Sequence, residues 1–198
     1  MSLKTPVTQD RVLPEPGIHV ARCVAVIDQG SQQTAWGSKP TILIGWELPN
    51  EPTYEWEGEE RTAMIWNSYT ASMSAKANLR KMLEGWRGKP YSREELEQFH
   101  LKGIVGKPCM VSLIHSEDGQ YANISSVSAI RQDTQCPPQQ TPSIIFDLDD
   151  PDWDLFRTFS EKMQKKITNT PEYQEVRSGP TEDHGQDDQH REEDEIPF

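Results

Sequence analysis

Aromatic and basic side chains are interleaved through the middle of the chain: Trp36 and Lys39, then Trp46, Arg61, Trp66, Tyr69, Lys76, Arg80, Lys107 and Tyr121. Such a mixture can hold a single nucleic-acid strand, with bases stacked on ring faces and phosphates met by cations. Each ring also has a plainer use. Trp46 belongs to an Ile42-Ile44-Trp46 stripe and reads first as core. Trp66 reads equally as core or platform. Tyr69 ends a strand, where exposure is common, and Tyr121 opens one. Trp36 has only polar and small neighbours, which makes it the best stacking candidate. Trp56 stands among Glu55, Glu57, Glu59 and Glu60 and reads as edge cover or a partner contact.

The basic group Lys76, Arg80, Lys81, Arg87, Lys89 and Arg93 meets one acid, Glu84, between 76 and 93. Helical spacing puts Lys76, Arg80 and Arg87 on one face. That face is a phosphate track or, equally well, a solvated surface opposite a core face. Arg61, Lys102 and Lys107 are further backbone-contact candidates. Nothing in the basic positions suggests base-specific readout.

Other chemistries find little support. The sequence has no phosphate-binding glycine loop, no GxGxxG, no HExxH and no CxxC. Asp147, Asp149, Asp150, Asp152 and Asp154 lack the spacing of a calcium loop and read as solvated acid. No enzyme, cofactor or metal is expected. Cys23, Cys109 and Cys136 are odd in number and far apart, as in a reduced cytoplasmic protein. No apolar run approaches a membrane span, and the first ten residues lack a signal-peptide core.

The net charge of −12 looks wrong for a nucleic-acid binder, but it is unevenly spread. Residues 1–140 hold 14 Lys and Arg against 16 Asp and Glu, net −2. Residues 141–198 hold 6 against 16, net −10. The acid is concentrated at the end, so the overall charge says little about the front.

Hydrophobic periodicity supplies the elements that must position these side chains. Residues 1–16, with three prolines, read as an arm. Alternation predicts strands at Ile18–Ile27, Thr41–Leu48 and Arg61–Tyr69, with loops over 28–40 and 49–60. A helix capped by Ser72 or Ser74 and ended by Gly88 follows. Ser92 and Glu95 form a capping-box pattern for a short helix to Phe99. Strands at Pro108–His115 and Tyr121–Ile130 flank an Asp-Gly turn. Three strands, a helix, then two strands give a mainly β chain, with the element order of a five-stranded OB-fold barrel over 17–131. A Pro/Gln linker follows over 132–146. Phe156, Phe159, Met163 and Ile167 mark one face of an extra helix within 147–177. Residues 178–198 read as a disordered acidic tail.

The last residues are Glu192-Glu193-Asp194-Glu195-Ile196-Pro197-Phe198. This tip resembles the C-terminal peptide of bacterial and phage single-stranded DNA-binding proteins. Over most of residues 15–175 the chain looks like phage replication-accessory proteins. That likeness rests on Gly45-Trp46-Glu47-Leu48-Pro49, Leu79-Arg80-Lys81-Met82-Leu83, Glu84 to Lys89, and Gly103 to Cys109. The resemblance implies an OB barrel that coats single-stranded DNA without sequence preference, ATP or metal, in the host bacterial cytoplasm. It implies that the tip docks on replication, recombination or repair proteins. Phe198 would fill an apolar pocket, its carboxylate would meet a basic group, and Asp194 and Glu195 would face a basic rim. Ile196 and Pro197 complete the docking peptide, and Pro197 lowers its ordering cost. Longer inter-strand segments and the extra helix depart from bacterial relatives and put the usual homotetramer in question. A chain whose barrel carries no DNA, acting as a protein-binding adaptor or inhibitor, is the alternative; an OB-bearing nuclease subunit is a remoter one.

Overall fold

The structure is a computed structural model that describes residues 13–35, 37–56 and 58–178. Its frame is a mainly β sheet of six strands. Strand β1, Gly17–Thr34, is 18 residues long. Its middle, Val24 to Ile27, is buried throughout, which suits a strand covered on both faces. The expected strand stopped at Ile27, with a loop after it. Instead the polar stretch pairs on into β2, Gly37–Glu47, through Ser31↔Pro40, Gln32↔Lys39, Gln33↔Ser38 and Thr34↔Gly37. Backbone pairing needs no apolar side chain, so alternation understates such a hairpin. Gly37, at φ +94°, takes the left-handed conformation that closes its turn.

The remaining strands are β3 Tyr54–Trp56, β4 Glu59–Arg61, β5 Met64–Thr70, β6 Pro108–His115, β7 Ala122–Ser128 and β8 Ile144–Phe146. β3 and β4 form a separate two-stranded hairpin inside the expected loop 49–60. The main path runs β5-β2-β1-β6-β7. β1 pairs β6 by its first half and β2 by its second, with a register shift between Cys23 and Ala25. β8 lies parallel beside Ala25 to Ile27. The sheet is not closed: among the described residues no ladder joins β5 to β7.

Helix α1, Asn78–Arg87, covers that gap and buries Leu79, Leu83 and Trp86. Gly85 lets it sit against β7, because a Cβ there would meet the Val127 carbonyl oxygen at 3.0 Å. Gly88 ends the helix as expected, at φ +78°. The expected serine cap is absent. Ala77 is the N-cap, while Ser72 and Ser74 bond each other in the preceding turn. Helix α2, Arg93–Glu97, has the expected capping box on Ser92 and Glu95. A 3-10 turn, Leu101–Ile104, leads into β6.

Two apolar cores lie on opposite faces of β1, β2 and β5. The inner one joins Ala21, Cys23, Ile44, Trp46, Ile65, Tyr69, Val111 and Leu113 to the α1 side chains. The outer one joins Ile27, Leu43 and Trp66 to Phe146, Leu148, Phe156 and Ile167. The expected single helix over this segment is three short ones: α3 Trp153–Arg157, α4 Glu161–Thr168 and α5 Pro171–Ser178. Ser160 breaks the run by capping α4, accepting from Met163 N–H at 3.3 Å. Pro171 opens α5, where its missing N–H costs nothing.

The Pro/Gln linker is pinned to the sheet. Fully buried Glu47 accepts from the Thr141 N–H at 2.9 Å and the Gln140 N–H at 3.2 Å. Arg22 donates to the Gly106 and Pro137 carbonyls at 2.7 and 2.8 Å.

Candidate nucleic-acid interface

An OB-fold binds strands on the face of its second and third strands, which here are β2 and β5. There the chain covers itself. Trp66 lies opposite Gly45 in the ladder, and its ring fills the space a side chain would take, since a Cβ at Gly45 would meet it at 2.5 Å. The half-buried ring belongs to the outer core, beneath the segment that carries β8 and the C-terminal helices.

Of two further candidate rings, Trp46 is core, as its apolar stripe suggests, and Tyr69 is a correction. Trp46 is fully buried on the inner face, 6.4 Å from Trp86 between ring centroids. Tyr69 is buried in the same core, and burial raises its phenol pKa. Neither presents a face to a base. Tyr121 is exposed just before β7, and Tyr54 is exposed on β3. Trp36 and the tip residues Asp194, Glu195, Ile196, Pro197 and Phe198 lie outside the described residues.

The cations divide by partner. Arg80 donates to Glu84 at 2.8 Å and to the Met73 carbonyl at 3.3 Å. Arg87 forms a two-pronged pair with Glu95 and lies over the Tyr91 ring at 4.6 Å. That arginine holds the Glu95 carboxyl down at about 2. Lys76 sits in a turn ahead of α1, so the expected helix-face row of Lys76, Arg80 and Arg87 is not formed. Arg61 pairs with Glu59 on the small hairpin. Lys107 is exposed beside the β1–β6 junction, where its carbonyl accepts from Cys23 N–H. Lys39 is half-buried on β2 opposite Gln32.

One group of cations was missed. Lys162, Lys165 and Lys166 lie on α4, which packs on β1 at Gln29 and Gln32, in the outer half of the long hairpin. Their spacing was visible in sequence. The contact of α4 with Gln32, the ladder partner of Lys39, was not, because residues 28–40 read as a loop.

Among the described residues, no three His, Cys, Asp or Glu side chains are arranged to hold a metal ion. Cys23 and Cys136 both lie close enough to Cys109 to add to the rise of its pKa. Burial pushes Cys23 up to about 12 and Cys109 well above the usual thiol range. Among the described residues no helix is long and apolar enough to cross a membrane. Comparisons with protein-family models, curated proteins and solved structures find no match to this chain.

Proposed function

We propose that the protein binds single-stranded DNA without sequence preference, supports phage DNA replication or recombination in the host cytoplasm, and recruits partner proteins through its C-terminal tip. The observation that carries this reading is the strand order β5-β2-β1-β6-β7 with α1 spanning the gap between the two edges. That is the order of an OB-fold, with β5 third, β6 fourth and β7 fifth among its strands. Folds of this kind bind strands beside the first hairpin and the fourth-to-fifth connection. Here those positions carry Lys39 on the long β1–β2 hairpin and exposed Tyr121 before β7. Fold order alone hosts many functions, so the acidic Ile-Pro-Phe terminus supplies the independent support.

One observation favours a second reading. The outer face of β2 and β5, where bases would stack, is occupied by the chain's own β8 and C-terminal helices. A protein-binding adaptor or inhibitor needs no such face.

Titration of the full-length protein with oligo-dT, followed by tryptophan fluorescence and by retardation of a labelled strand, separates the two. Quenching that weakens as salt rises is expected for strand binding. Absence of both signals, in the full chain and in a form lacking residues 179–198, would remove the DNA reading and leave the adaptor.

A further inference from the structure

Gln32 and Lys39 face each other across the β1–β2 ladder, so their side chains leave the same side, with Cβ atoms about 5 Å apart. The Gln32 side chain reaches α4. Its amide donates to the Lys166 carbonyl at 3.1 Å and to the Gln29 carbonyl at 2.6 Å. The Lys166 ammonium in turn donates to the Gln29 side chain at 2.9 Å. Lys39 therefore stands on the hairpin surface that the last turn of α4 touches. Lys162 lies one turn before Lys166 on the same side of the helix, and Lys165 is exposed beside it.

Helix stabilisation accounts for only part of this group: Lys165 and Lys166 lie in the last turn of α4, where the dipole favours cations. Lys162 is in the first turn of α4, where the helix dipole disfavours a cation. The last-turn carbonyls already have donors: Lys165 takes the Asn169 N–H, Lys166 takes Gln32, and Ile167 takes Thr170. Nor do acids neutralise them. Among the described residues Lys39, Lys162 and Lys165 make no ion pair, and Glu161, four residues before Lys165, makes none with it. Glu172 is directed instead to Ser31, accepting from its N–H at 3.0 Å. Burial, with Lys162 close by, holds the Lys166 pKa below its usual value. No other described lysine makes an ion pair either, whereas Arg80, Arg87, Arg93 and Arg157 all have carboxylate partners, so it is their placement on one surface that sets these lysines apart.

We propose that α4 and the outer half of the β1–β2 hairpin form a phosphate track for a single nucleic-acid strand, with Lys39, Lys162 and Lys165 as its cations. This rests on the DNA-binding reading and moves its path off the covered β2–β5 face. Lysines meet phosphates as point charges and read no bases, which suits binding without sequence preference.

The test is fluorescence anisotropy of labelled oligo-dT with the full-length protein at several salt concentrations. The triple variant Lys39→Gln, Lys162→Gln, Lys165→Gln is compared with a charge-matched control, Arg131→Gln, Arg157→Gln, Arg177→Gln, at exposed arginines. Each single-strand phosphate contact contributes about 0.7 to the log–log salt slope, so the track variant should lose about 2. Its affinity at low salt should fall roughly ten- to a hundredfold, with the control unchanged. Circular dichroism melting checks that both variants fold. An unchanged slope in a folded track variant, or the loss appearing in the control, overturns the track while DNA binding stands. No binding by the unaltered protein overturns both. Complete displacement of the strand by millimolar inorganic phosphate at fixed ionic strength would reduce the site to a small-anion pocket and also overturn the track.

Discussion

The inner and outer cores use similar side chains on opposite faces of the same strands, yet they are built differently. The inner core is made by the sheet itself and sealed by α1 through Leu79, Leu83 and Trp86. The outer core is made by a late segment that brings its own rings: Phe146, Trp153, Phe156, Phe159 and Tyr173 contact one another at 5.4–6.0 Å. That segment is then fastened to β1 by polar contacts at Gln29, Ser31 and Gln32. The inner core defines the fold; the outer one decides which surface of it meets solvent.

Substitutions should separate the two layers. Trp46→Ala removes the largest fully buried side chain and should cost about 3–5 kcal/mol, lowering the melting temperature of the whole domain. If β6 and β7 kept wild-type hydrogen-exchange protection in that variant, the inner core would not be the common foundation. Phe146→Ala should cost a similar or smaller amount, about 2–4 kcal/mol, but locally. Exchange should rise over residues 144–173 while β6 and β7 stay protected; uniform loss would show one cooperative unit.

Gly30→Ala is a finer probe. Gly30 has φ +65°, and a Cβ there would meet Thr170 Oγ1 at 2.5 Å, so α5 must shift. A cost of about 1–3 kcal/mol is expected, with protease cleavage near Thr170 becoming faster. Unchanged cleavage and melting would argue against a tight seat for α5.

The smallest effect concerns pH. Burial, with help from nearby Asp147 and Glu172, raises the Asp28 carboxyl above 3.8. The folded state then holds the Asp28 proton more tightly than the unfolded chain does. Its stability therefore gains as pH falls through the raised folded value and declines as pH rises through it. Asp28→Asn keeps an acceptor for the Gly30 N–H and should melt slightly higher at neutral pH, with a flatter acid-side profile. A lower neutral melting point would sink that account.

The strands β2, β5, β6 and β7 could be read from alternation, and β6 came out at its observed bounds. So could the α2 capping box and the glycine stop of α1. What could not be read depended on partners distant in sequence. Arg87 looked free because its acid, Glu95, lies beyond the basic stretch. The linker looked loose because nothing in Gln140 or Thr141 announces the buried Glu47 that takes their N–H groups. Trp66 was balanced between core and platform because Gly45, the residue that gives its ring room, lies on another strand.

The parallel pairing of β8 with Ala25 to Ile27 has a consequence for synthesis. A growing chain completes β1, β2, β5, β6 and β7 well before Ile144 emerges. Until then the edge of β1 at Ala25 to Ile27 lacks its β8 partner, and Leu43 and Trp66 lack their cover. Pairings between such distant residues form slowly, and an open apolar edge invites other chains. The nascent protein thus passes through a stage with its inner layer complete and its outer face bare, when association with other chains is most favoured.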